Sequence, residues 1–120
     1  MTTAWPWPDE LDALAAAPAH HRLLFENEFV RVFDTRIAPG DRTPVHTHRW
    51  PAVHYVLSRS DFIRRDAAGG VMLDTRALPA SAPPAEVLWG NPLPPHSLEN
   101  VGAGEIHIIS TELKGASDQC

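Results

Sequence analysis

Two histidines separated by a single residue, His46 and His48, carry the densest chemistry in this chain, within the stretch PGDRTPVHTHRWPAVHYVL from Pro39 to Leu57. In extended backbone, residues i and i+2 project to the same side, so two imidazoles converge on one point. Neutral imidazole, the form that predominates near pH 7, is the commonest protein ligand for transition metals. A stable site needs at least three protein ligands. His54 has the same parity as His46 and His48, and it shares their face if the strand passes Pro51 without a bulge. His96 lies far along the chain in NPLPPHSLEN, at the start of a second alternating stretch. All-imidazole ligation suits one divalent iron, zinc, nickel or copper ion better than magnesium or calcium, which prefer oxygen. Neutral ligands leave the metal charge uncompensated, which favours an anionic small-molecule ligand.

Strands must hold such a set in place. Alternation predicts a short strand at Leu23 to Phe25, a turn at Glu26 to Glu28 and a longer strand from Phe29 to Ile37. Its faces are Phe29, Arg31, Phe33, Thr35 and Ile37 against Val30, Val32, Asp34 and Arg36. Beyond the central stretch, SDFIRRDAAGGVMLDTR reads as a hairpin turning at Ala67 to Gly70. The proline-rich segment ALPASAPPAEVLWGNPLPP reads as a long loop with a brief strand at Glu86 to Trp89. Two last strands flank a turn at Gly102 to Gly104, with Ile106, Ile108, Ser110 and Glu112 on one face and His107, Ile109, Thr111 and Leu113 on the other. Before all of these, acidic Asp9, Glu10 and Asp12 lead into an alanine-rich segment stopped by Pro18, which predicts a short helix from Pro8 to Ala17. His20 and His21 are adjacent and point apart, which suits surface or packing roles. His107 reads as an ordinary strand histidine.

Gly40, five residues, His46, one residue, His48 and the apolar run Val53 to Leu57 together resemble the first motif of the cupin superfamily. Pro95, His96, three residues and Asn100, with Gly90 ahead of them, resemble the second. The resemblance implies an all-β fold, an antiparallel double-stranded β-helix or jelly-roll barrel with the metal inside. It divides the chain into a helical arm at 1–22, the barrel at 23–114 and a tail at 115–120. His46, His48 and His96 carry over as ligands. Many cupins place a glutamate four residues after the second histidine, where this chain has Ala52, so the fourth position falls to His54, to water or to substrate. Some cupins with three histidine ligands are dioxygenases, which implies a metal-dependent enzyme acting on a small molecule. The alternative is a cupin that holds a small ligand or a structural metal and catalyses nothing. Trp50, Tyr55 and Trp89 would line the pocket, with Phe62 and the arginines, although Tyr55 and Phe62 also suit a core. A single barrel of this kind often pairs through its amino-terminal strands, and apolar Leu23 to Val32 then predicts a homodimer.

Composition narrows the classes. A chain of 120 residues suits one folded unit. Its apolar fraction of 43% and charged fraction of 21% are those of ordinary globular proteins. No apolar run approaches bilayer length, and the acidic amino-terminal segment has the wrong charge order for a secretory signal, so no membrane partner and a cytoplasmic location are expected. A net charge of -5 disfavours nucleic acid. The only cysteine, Cys120, has no intramolecular partner.

Overall fold

The computed structural model describes residues 5–78 and 86–115. Eight strands follow one another: β1 (His21–Glu26), β2 (Val30–Ile37), β3 (Ala52–Ser58), β4 (Phe62–Asp66), β5 (Val71–Asp74), β6 (Val87–Gly90), β7 (His96–Asn100) and β8 (Ile106–Leu113). All strand pairings are antiparallel, in a five-stranded sheet ordered β1-β2-β8-β3-β6 and a three-stranded sheet ordered β5-β4-β7. This is the all-β jelly-roll architecture that the motifs imply.

Alternation decides what lies between the sheets. Phe33, Thr35 and Ile37 of β2, His54 and Val56 of β3, and Ile106, Ile108 and Ser110 of β8 line a cavity of about 330 Å³. The smaller sheet adds Phe62, Arg64, His96 and Leu98 to the same wall. Phe33, Ile37 and Ile106 are buried, and each contributes about 1.5–3 kcal/mol by leaving water. No described helix is long and apolar enough to cross a membrane.

Turns fix the register. Asn27 accepts from the backbone N–H groups of Phe29 and Val30 at 2.8 and 2.9 Å, closing the β1–β2 connection. Gly40 turns the chain out of β2 at φ +82°, a conformation that disfavours any residue with a Cβ. Its N–H donates to the Asn100 carbonyl at 2.9 Å, tying the first motif to the second. Asn100 is itself buried and fully bonded, donating to the carbonyls of Ile37 and Gly104 and accepting from Ser60 and Gly102.

The structure revises several boundaries. The expected helix from Pro8 to Ala17 is a 3-10 turn, Asp9–Leu11, followed by α1 (Ala13–Ala16). Asp12 breaks it with an extended backbone at ψ 139°, because this segment pairs with Thr47. Leu11 O accepts from Thr47 N–H at 2.7 Å, and Thr47 O accepts from Ala13 N–H at 2.9 Å. The first strand begins at His21 rather than Leu23, since His21 already faces Thr35 across the ladder. His46 to His54 is not one strand, for the chain bends before Pro51 and β3 starts at Ala52. The hairpin turn at Ala67 to Gly70 is present, with Gly69 at φ +92°. Of the proline-rich segment, residues 79–85 lie outside the described residues, as does the tail after Gly115, and its brief strand is Val87–Gly90.

Candidate metal centre

His46 and His48 project together from a short extended segment, their ring centres 5.2 Å apart. The residue between them points the other way: Thr47 is fully buried, held by the amino-terminal arm on one side and by the Leu93 carbonyl on the other. Alternation around a clamped threonine aims both rings inward. His46 also exchanges two backbone hydrogen bonds of 2.9 Å with His96, an antiparallel pair whose side chains share a side. The ring of His96 therefore stands 4.8 Å from that of His46 and 6.1 Å from that of His48.

A fourth ring completes the group. His21, for which a packing role was expected, is buried with its ring centre 5.0 Å from that of His46 and 5.8 Å from that of His48. Nitrogen atoms of His21, His46 and His48 all lie within 4.8 Å of one another. His20 points away and contacts Asp41 at 2.8 Å, as adjacency in a strand requires.

The protons on these rings are assigned by their neighbours. Nδ1 lies against a backbone carbonyl in three cases: Ala17 O at 3.0 Å for His21, Pro44 O at 2.8 Å for His46 and Pro94 O at 2.8 Å for His96. A carbonyl only accepts, so Nδ1 carries the hydrogen and Nε2 keeps its lone pair. His48 Nδ1 meets the Glu112 carboxyl at 3.2 Å and donates to it when that group is ionised. Orientation by an oxygen behind each ring is the usual support for a metal-binding imidazole. Three neutral imidazoles, His21, His46 and His48, with nitrogens within 4.8 Å of one another fit a transition metal, and the ring of His96 stands beside that set.

Glu112 is the residue that motif reading misses. It sits directly across the ladder from Ala52, the position where the resemblance calls for glutamate. Its other oxygen accepts from Arg31 Nε at 2.6 Å, and Arg31 donates through both terminal nitrogens to Asp12 at 2.8 Å each. A buried relay, Asp12–Arg31–Glu112–His48, thus runs from the arm to the histidines. Burial opposes the Arg31 charge, but the two carboxylates overcome it and raise its pKa. Burial likewise pushes the Glu112 carboxyl up to about 7, against the pull of Arg31. The inward parity of Glu112 with Ser110 and Ile108 was a usable signal, but nothing in the sequence says which face of β8 turns in.

Burial first, then the mutual repulsion of the rings, keeps the cluster neutral. His21, His48 and His96 are lowered to about 3, and His46 is lowered as well. Protons then do not compete for Nε2 near neutral pH.

His54 lines the same cavity but does not join the cluster. Its Nδ1 contacts Ser110 Oγ at 2.7 Å, and its Nε2 lies so close to Gly90 that a Cβ there would approach to 2.4 Å. The bend before Pro51 has carried it out of line with His46 and His48. Trp89 lines the cavity as expected. Trp50 and Tyr55 do not: Trp50 stacks among Arg31, Arg49 and Lys114, and Tyr55 is exposed on the outer face of β3 because inward parity belongs to His54 and Val56. Phe62 takes an inward place instead.

No family model matches the sequence, and no curated protein matches it. Solved structures do resemble the fold. A cupin domain from Bordetella pertussis superposes with a TM-score of 0.59 at 20% identity, over 79% of this chain and 92% of that one. This chain has the cupin fold. A conserved protein with a double-stranded β-helix domain from Klebsiella pneumoniae matches at TM-score 0.53 and 18% identity, over 81% of this chain and 77% of its own. An RmlC-like cupin family protein from Methanocaldococcus jannaschii matches at 0.52 and 8%, over 78% and 77% of the two chains. At such identities the likeness concerns the cupin architecture, and the chemistry rests on this chain's own residues.

Proposed function

We propose that this cupin binds one divalent transition metal through His46, His48 and His96, with His21 as the fourth donor, and acts on a small organic molecule admitted to the barrel. The observation that carries the reading is the shared state of the four rings, each with Nδ1 committed to an oxygen and Nε2 left for a metal. His21 replaces the expected His54, and Glu112 replaces the carboxylate absent at Ala52, acting behind His48 rather than as a ligand.

A divalent ion held there supplies Lewis acidity and, if it is iron or copper, redox chemistry of the dioxygenase type. The protein does the rest. Ala17, Pro44 and Pro94 carbonyls hold three rings at fixed angles, and Glu112 holds the fourth. Apolar side chains of β2, β3 and β8 keep bulk water from the cavity and orient the ligand toward the histidines.

Metal content of protein purified without a histidine tag tests this reading. Near-stoichiometric iron, zinc, nickel or copper is expected in the native chain, with loss in His48→Ala and at least about tenfold weaker binding in His21→Ala. A folded native chain that takes up none of these metals on reconstitution would remove the proposal. Retention in His21→Ala with full affinity would remove His21 from the set.

A further inference from the structure

Two arginines, Arg31 and Arg64, are withdrawn from solvent, and the fold treats them oppositely. Arg31 is neutralised by Asp12 and Glu112. Arg64, on β4 between Leu98 of β7 and Leu73 of β5, lines the cavity with its guanidinium carbon 5.5 Å from the Phe62 ring centre. Its Nε is buried with no hydrogen-bond partner, and the half-buried group forms no ion pair among the described residues. Burial alone acts on its ionisation and lowers its pKa, the reverse of Arg31. It shares the lining of one cavity with His46, His48, His54 and His96.

A guanidinium keeps its proton in a protein, so the cavity holds a permanent cation with no counter-charge. Such a group is costly to bury, and a fold gains from it only when a ligand supplies the missing partner. Its planar fork matches a carboxylate with two parallel hydrogen bonds. Phe33, Val56, Leu98, Ile106 and Ile108 make much of the lining of that cavity apolar. A phosphate would call for a second buried cation, and Arg59, the other arginine on this wall, is exposed.

We propose that Arg64 anchors the carboxylate of a small organic acid whose apolar body fills the barrel and whose far end reaches the histidine cluster. This names the ligand class for the reading above and rests on it for where the reacting end lies, while the anchor itself stands without metal.

Calorimetric titration of metal-free and zinc-loaded protein with phenylacetate, hexanoate and the uncharged phenylacetamide separates the two. The acids are expected to bind metal-free native protein at least about tenfold tighter than the amide. Arg64→Met should erase that preference, and Arg64→Lys should keep part of it. Ligand-free Arg64→Met should also melt no lower than the native chain, since it removes a half-buried charge whose Nε has no partner. Equal binding of acids and amide, acid binding that survives Arg64→Met, no acid binding at millimolar concentration, or a lower melting point in Arg64→Met would each overturn the anchor. If zinc is not taken up but the acids still bind through Arg64, the metal reading falls and the anchor stands.

Discussion

Neutral imidazoles packed together make the metal-free protein sensitive to acid. Histidine in an unfolded chain has a pKa near 6.5, whereas burial lowers His21, His48 and His96 in the fold to about 3. Between those values the unfolded chain binds more protons, so stability falls as pH falls; above 6.5 neither state is protonated and the effect is absent. Each ring contributes about 1.4 kcal/mol per pH unit in that window. Glu112 works the other way: raised to about 7 from 4.5, it binds its proton earlier in the fold than in the unfolded chain and offsets about one ring. Urea midpoints of metal-free protein should therefore stay level from pH 8 to about 7 and decline below about 6.5. A midpoint that rises toward pH 5 would contradict the burial of these rings.

At the scale of elements, the arm before β1 is part of the centre rather than an appendage to a barrel. It supplies the Ala17 carbonyl behind His21, the backbone clamp on Thr47 and the carboxylate that neutralises Arg31. Asp12→Ala should cost about 3–5 kcal/mol, because it leaves part of a buried charge network unpaired. It should also weaken metal binding, as Arg31 then holds Glu112 less firmly behind His48. Chemical denaturation and metal titration of that variant would show it; full stability and affinity would make the arm a mere cover. The same contrast explains what could be read beforehand. His46 and His48 were legible because two residues in one extended segment fix each other's direction, and His96 because its motif is local. His21 and Glu112 were not, since their directions depend on ladders that join distant segments: Arg31 and Glu112 meet across 81 residues. Tyr55 faces out because inward parity belongs to His54 and Val56, and Trp50 lies in the bend before Pro51, where it stacks among Arg31, Arg49 and Lys114.

For the molecule as a whole, the motifs carried the fold because each contains a constraint that geometry confirms: a left-handed turn at Gly40 and a fully bonded Asn100. The outer face of the larger sheet is less settled. Tyr55 and Leu57 of β3 and Val87 of the adjoining β6 remain about half exposed, as does Phe25 on β1 at the far edge of the same sheet. We expect a second copy to cover it, through a face wider than the Leu23 to Val32 segment. Sedimentation at micromolar concentration should give a dimer that Tyr55→Glu dissociates. A native chain that remains monomeric there would rule the pairing out.

The relay from Asp12 to Glu112 also has a bearing on biosynthesis. While the ribosome is still extending the chain, the segment holding His46 and His48 emerges before β8 exists, so its two imidazoles then lack the partners that fix them in the fold. Only when the last strand joins the sheet does Arg31 find its second carboxylate and His48 its fixed direction. If the proposed metal is bound, its selection belongs to the finished barrel, so protein refolded with a mixture of metals and protein loaded in the cell are expected to carry the same one.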